Sequence, residues 1–85
     1  MTELKSLVKL LAEEWGESVD SIKFYFSDDF LRTYITLRTA SKDGIEFTIN
    51  DYGIKPPEGL KSIHVEAIQS SIEYEITYVF GKVTI

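Results

Sequence analysis

The first 15 residues carry apolar side chains at helical spacing, with charged residues between them. The apolar positions share one face of a helix with about 3.6 residues per turn: Leu4, Leu7, Val8, Leu11 and Trp15. This pattern predicts an amphipathic helix over residues 3–15. Thr2 is a suitable capping residue, Glu3 favours the positive end of the helix dipole, and Gly16 can end the helix in a left-handed conformation.

From Ser21 onward the apolar period changes to two, which is typical of strands with one buried face. The predicted strands and their inward residues are 22–26 (Ile22, Phe24, Phe26), 30–39 (Leu31, Ile35, Leu37) and 45–49 (Ile45, Phe47, Ile49). Residues 41–44, Ser-Lys-Asp-Gly, predict a hairpin turn between the second and third strands, because Gly44 tolerates a positive φ.

Residues 50–59 predict the longest loop of the chain. Pro56 and Pro57 each remove a backbone donor, and the two glycines of this segment permit unusual φ values. Exposed loops often carry recognition, so Tyr52 is a candidate binding residue.

The segment 58–69 fits two patterns. Its apolar residues match both helical and strand spacing, but β-branched Ile63 and Val65 and the lack of good caps favour a strand, with a short helix as the alternative. A last strand is predicted over 72–80, where apolar and polar residues alternate without a break.

These elements predict an α+β domain, 1–85, in which the N-terminal helix packs on a four- to five-stranded antiparallel β-meander. One helix is about 10 Å across, whereas five strands make a sheet about 20 Å wide. Either the sheet curls around the helix, in an element order that resembles cystatin-like and monellin-like grasps, or a second copy covers the remaining apolar residues in a homodimer. The order of elements by itself implies no function.

The composition indicates in which cellular compartment we expect the protein. The chain has no Cys, so it has no disulfides and no cysteine metal site, which fits a reducing, cytoplasmic location. We identify no signal peptide and no apolar run long enough to span a bilayer. The scarcity of amide side chains and the many Ile residues resemble thermophile usage.

The outer face of the first two predicted strands gathers basic and aromatic residues: Lys23, Tyr25, Arg32, Tyr34 and Arg38. Arg side chains pair with phosphates and Tyr rings stack on bases, so this face suits a single-stranded nucleic acid or another acidic ligand. The alternative is that these residues only pair with acidic neighbours such as Glu46 and keep the sheet soluble. The net charge of −5 argues against a dedicated duplex-DNA binder.

His64 is the single histidine, and strand spacing places Glu66 on the same face. The two residues do not complete a metal site or a catalytic triad, so we expect no metal, no cofactor and no enzymatic activity. His64 remains a candidate binding residue. The sequence therefore predicts a non-enzymatic protein–protein interaction module, with nucleic-acid binding as one alternative. A second alternative is mimicry of nucleic acid by eleven acidic residues: Glu13, Glu14, Glu17, Asp20, Asp28, Asp29, Asp51, Glu58, Glu66, Glu73 and Glu75.

Overall fold

The computed structural model describes residues 2–85. Within that range the elements are α1 (Leu4–Trp15), a 3-10 turn (Val19–Ser21), β1 (Lys23–Phe26), β2 (Thr33–Thr39), α2 (Lys42–Ile54), β3 (Leu60–Ala67) and β4 (Tyr74–Phe80). The four strands form one open antiparallel sheet in the order β1-β2-β4-β3. The predicted α+β class, with its helix first and its antiparallel sheet, is confirmed.

Helix α1 buries its predicted apolar stripe and ends at Gly16, whose φ of 65° is left-handed. Its first turn differs from the prediction: Glu3 occupies the cap position without a side-chain hydrogen bond, so Thr2 is not the cap. The Leu4 N–H instead donates to the Thr84 carbonyl at 2.8 Å. The C-terminal segment therefore satisfies a backbone donor that a cap would otherwise satisfy.

The predicted third strand over 45–49 is wrong, because this segment lies inside helix α2. Ser41 caps the helix by accepting a hydrogen bond from the Gly44 N–H at 3.0 Å. The buried residues Ile45, Thr48 and Tyr52 follow a spacing of three and four, which is helical. Phe47, which the strand pattern placed in the core, is exposed.

Gly44 is required for close packing and not for a hairpin. A Cβ atom at this position would lie 2.8 Å from Cζ3 of Trp15, closer than side chains tolerate. The absence of a side chain at Gly44 thus lets the start of α2 approach the end of α1. The predicted hairpin at 41–44 is a helix start, and the predicted loop at 50–59 begins only after Ile54.

Two strand boundaries are later than predicted. Strand β2 starts at Thr33, and Leu31, predicted inward, is 58% exposed in the turn before it. Strand β4 starts at Tyr74, which leaves Ile72 83% exposed. The preference for a strand within 58–69 is confirmed by β3.

The sheet is two hairpins joined by α2, and it is not a simple meander. After α2 the chain enters at the far edge as β3 and returns as β4, which pairs with β2 in the middle of the sheet. Side chains of α1 and α2 pack on the same sheet face, around Ile35, Ile76 and Tyr78, which are fully buried. The sequence suggested that either a curled sheet or a second copy covers the apolar residues that α1 leaves exposed. In the structure the second helix, α2, covers part of that sheet face.

No helix within residues 2–85 combines the length and the apolar character needed to cross a membrane.

Candidate functional site

The sheet face opposite the two helices, here called the open face, is built by strand register. One row across the four strands contains Tyr25, Tyr34, Val79 and Ser62. The next row contains Lys23, Thr36, Thr77 and His64, and a third contains Arg38, Glu75 and Glu66. Side chains in one row lie side by side, because paired residues point to the same face of a sheet.

The open face collects most of the binding residues that the sequence proposed. Lys23, Tyr25, Tyr34, Arg38 and His64 lie on it, and Arg32 lies in the turn at its rim. Tyr52 does not: it lies on α2, is only 8% exposed and donates from its hydroxyl to the Glu14 carboxylate. The candidate role of Tyr52 as an exposed loop residue is wrong, since its segment is helical.

Tyr25 and Tyr34 form a stacked pair in the middle of the β1–β2 hairpin. Their ring centroids are 4.8 Å apart and their planes differ by 8°. Tyr25 is 53% exposed, whereas Tyr34 is half-buried between Tyr25 and Val79. The pair forms a stacked aromatic cluster on the open face, with Tyr25 as its more exposed ring, and the two residues are directly paired across the strands.

Beside Tyr34 the open face forms a cavity of about 470 Å³, here called the basic groove. Its lining residues are Leu31, Arg32, Tyr34, Lys61, Ser62, His64 and Val79. Two fixed cations and an imidazole line it, and this lining contains no Asp or Glu. In a chain of net charge −5, the groove is a local concentration of positive charge.

Arg32 is held at the rim by a hydrogen-bonded turn. Ser27 and Arg32 are joined by two hydrogen bonds, each at 3.1 Å: the Ser27 N–H donates to the Arg32 carbonyl, and the Arg32 N–H donates to the side-chain Oγ of Ser27. The Asp29 carboxylate accepts from Ser27 Oγ at 2.7 Å and from the Leu31 N–H at 3.0 Å. The Ser27 hydrogen bond, followed by that from Leu31, lowers the pKa of Asp29, and the Arg32 charge adds to this effect.

Lys61 and Ser62 both reach the basic groove because β3 is irregular there. The pairing of β3 with β4 shifts between Leu60 and Ser62, so two consecutive residues face the same side. Ser62 Oγ lies 3.0 Å from His64 Nε2. Sequence reasoning found His64 but missed Lys61 and Ser62, since a bulge interrupts the alternation on which strand predictions depend.

The other end of the open face has mixed charge. A cavity of about 370 Å³ there is lined by Lys23 and Arg38 together with Glu17, Glu73 and Glu75. Arg38 Nε lies 4.0 Å from Glu75 Oε2, whereas the predicted partner Glu46 lies on α2. The five basic and aromatic residues that the sequence grouped therefore divide into a basic end and a charge-balanced end, with the tyrosine pair between them.

A separate polar cluster lies under the helices and joins them to the sheet. Trp15 Nε1 donates to the Tyr78 hydroxyl at 2.8 Å, and Thr48 Oγ1 lies 3.1 Å from the same hydroxyl. Thr48 and Tyr52 also donate to Glu14. Burial raises the pKa of Glu14, partly opposed by the Thr48 hydrogen bond, and burial raises the pKa of Tyr78. This cluster holds the two helices against the sheet.

The described residues contain no group of three or more His, Asp or Glu side chains arranged as a metal site. Comparison of the chain with family models, curated proteins and solved structures finds no match.

Proposed function

We propose that this protein is a non-enzymatic binding module whose open face binds single-stranded nucleic acid. The observation that supports this most strongly is the basic groove next to the stacked Tyr25–Tyr34 pair, with no carboxylate in its lining. Arg32 and Lys61 supply donors for two phosphates, and the tyrosine pair supplies a surface for a base. Ser62 and His64 add polar groups to the lining of the same groove.

The shape of the face favours a single strand over a duplex. Bases in a single strand are free to stack on aromatic side chains, and each such contact contributes about 1–3 kcal/mol. A sheet face with short side chains such as Thr36 and Thr77 does not project into a duplex groove in the way that a helix does. The acidic remainder of the surface repels phosphate, so we expect weak binding that depends strongly on salt.

The test is fluorescence anisotropy with labelled single-stranded RNA and DNA of about ten nucleotides, which fits the site sizes of such modules. Affinity should fall as salt rises from about 50 to about 200 mM. The variant Arg32→Gln/Lys61→Gln should weaken binding and reduce the salt slope by about 1.4, because each phosphate contact of a single strand contributes about 0.7.

The matched control is Lys9→Gln/Lys55→Gln, which removes the same charge at exposed positions outside the groove. It should retain nearly all of the affinity. Absence of binding at low salt, or equal losses in the two double variants, would contradict the proposal. Preferential binding to a basic protein would instead favour mimicry of nucleic acid by the acidic surface.

A protein partner is the second candidate, and a different observation favours it. Exposed apolar side chains cluster along β1, where Phe24, Val19 and Ile85 lie around a cavity of about 270 Å³ whose floor is formed by the buried residues Leu4 and Val8. Exposed apolar clusters of this kind are typical of interaction surfaces. The absence of Cys supports a cytoplasmic location for either function.

A further inference from the structure

We infer that the partner along β1 is a second copy of this chain, paired antiparallel so that the two sheets become one. Within residues 2–85, strand β1 is an edge of the sheet and pairs with β2 alone. The twofold axis of the pairing passes through Tyr25, and Phe24 of each copy lies opposite Phe26 of the other. This inference names the protein partner of the module proposed above.

The free edge of β1 offers the backbone groups that this pairing needs. The Ser27 N–H donates to the Arg32 carbonyl, which marks Ser27–Arg32 as a hydrogen-bonded pair of the antiparallel ladder. Such pairs alternate, so Tyr25 bonds to β2, whereas Phe24 and Phe26 direct their N–H and C=O groups away from it. When two copies of this edge pair antiparallel, the N–H and C=O groups of Phe24 and Phe26 on each strand, four groups in all, form hydrogen bonds with the other copy.

The two edges of the sheet differ in how they are protected. The edge strand β3 follows Pro56 and Pro57, contains a bulge at its start and carries Lys61 and Glu66. Bulges, prolines and charges are the features by which proteins block pairing at an edge. Strand β1 has no proline and no bulge, and Lys23 is its single charged residue. Pairing is therefore favoured at β1.

Apolar surface continues from this edge toward the helices. Phe24 is 49% exposed and lines the cavity with Leu4 and Val8 of α1 and with Ile85. In the antiparallel register, Phe26 of the second copy lies directly beside Phe24, on the same side of the combined sheet. The pairing thus covers apolar side chains that the single chain leaves in water.

The charges at the two ends of β1 favour pairing with a second copy of the chain in the antiparallel direction. Lys23 begins β1, whereas Asp28 and Asp29 follow its end. Antiparallel pairing brings Lys23 of each copy next to the aspartates of the other, twice by symmetry. Parallel pairing would place lysine beside lysine and aspartate beside aspartate, which is unfavourable. The edge is therefore complementary to itself in one orientation.

The dimer would also enlarge the site. Tyr25 faces Tyr25 of the second copy across the axis, so the combined eight-stranded sheet carries Tyr34, Tyr25, Tyr25 and Tyr34 in one row on its open face. A basic groove lies at each end of that row. If the proposed function holds, one strand of nucleic acid can contact both copies, which increases affinity for longer oligonucleotides.

The first test is light scattering over a dilution series. The unmodified protein should have twice the chain mass of 9.7 kDa at high concentration. Phe24→Lys places a charge at the edge and should give the single-chain mass, whereas Ile54→Lys, which adds the same charge at an exposed site on α2, should stay dimeric. A single-chain mass for the unmodified protein at every concentration, or a Phe24→Lys protein that dimerises normally, would overturn the inference.

The second test does not depend on how Phe24→Lys folds. Because the chain has no Cys, Tyr25→Cys introduces one thiol, and the proposed register places the two thiols at a closely spaced pair with Cα atoms about 4.5 Å apart. Mild oxidation should cross-link this variant rapidly. Tyr34→Cys, one strand further in, should not cross-link. Equal cross-linking of both variants, or none of Tyr25→Cys, would overturn the register.

These results are separable from the proposed function. A monomeric protein that binds oligonucleotides through Arg32 and Lys61 would remove the dimer and leave the function. A dimer that binds no nucleic acid at low salt would remove the function and leave the dimer.

Discussion

The indole Nε1 of Trp15 donates a hydrogen bond to the hydroxyl of Tyr78 at 2.8 Å, over a sequence separation of 63 residues. Trp15 ends α1, and Tyr78 is fully buried in the central strand β4. Thr48 of α2 meets the same hydroxyl. One oxygen atom in the core thus connects both helices to the sheet.

Replacing Tyr78 with Phe should therefore destabilise the protein by about 1–3 kcal/mol, because the Trp15 N–H would lose its partner in a partly buried site. Urea unfolding followed by circular dichroism measures the change. Tyr74→Phe, at a half-buried position on the same face of β4, is the matched control and should change stability by less than about 0.5 kcal/mol. Similar losses for both variants would show that the shared hydroxyl is not important.

The carboxylate of Glu14 should make stability depend on pH. Burial raises its pKa above the ordinary value of 4.5 in the folded protein, so folding favours the protonated form. Its contribution is fully present below the unfolded pKa and is lost as pH rises through the folded pKa. Glu14→Gln should remove this dependence, so the stability of the unmodified protein relative to the variant should fall from pH 4 toward neutrality.

Urea unfolding at several pH values measures that difference. Glu13→Gln is the control, since it removes the same charge from the neighbouring position, whereas Glu14 is the residue that accepts hydrogen bonds from Thr48 and Tyr52. A difference between Glu14→Gln and the unmodified protein that does not vary with pH would contradict the assignment.

The two glycines of α2 should respond in opposite ways to alanine. Gly44→Ala should destabilise the protein by about 1–3 kcal/mol, because the new Cβ would meet the Trp15 ring at 2.8 Å. Gly53→Ala meets nothing within 4 Å and should stabilise the protein by about 0.4–1 kcal/mol through helix propensity and reduced freedom of the unfolded chain. Thermal unfolding distinguishes the two signs. A gain in stability at Gly44 would show that α2 does not approach Trp15 closely.

The later start of β4 predicts unequal effects at two isoleucines. Ile76→Ala should cost about 2–5 kcal/mol, because Ile76 is fully buried. Ile72→Ala should stay within about 0.5 kcal/mol, because Ile72 precedes the strand and is largely exposed. Equal losses measured by urea unfolding would indicate that the strand begins near Ile72, as the sequence pattern suggested.

Sequence patterns correctly predicted the features that depend on residues close together in the chain. The α1 stripe and its end at Gly16 follow from local periodicity and from the left-handed preference of glycine. The alternation in β1, β2 and β4 correctly placed Lys23, Tyr25, Tyr34 and Arg38 on one outer face. For β3 the spacing was ambiguous, and the β-branched residues and the lack of good caps correctly favoured a strand.

The pattern failed at residues 45–49, where Ile45, Phe47 and Ile49 alternate like a strand but lie in a helix. The cap at Ser41 and the packing of Thr48 and Tyr52 against Tyr78 outweigh that alternation. The cap is local, but the two contacts with Tyr78 join residues 30 and 26 positions apart, so a local window does not contain them.

By itself, the sequence determined the α+β class, the first helix and the outward position of the basic and aromatic residues, because these depend on spacing within one element. Only the tertiary structure decided the strand order, the second helix over the sheet and the basic groove. The groove combines Arg32 from a turn with Lys61 and His64 from a distant edge strand. Their meeting depends on the crossover through α2 and on a bulge in β3, and both are set by long-range packing.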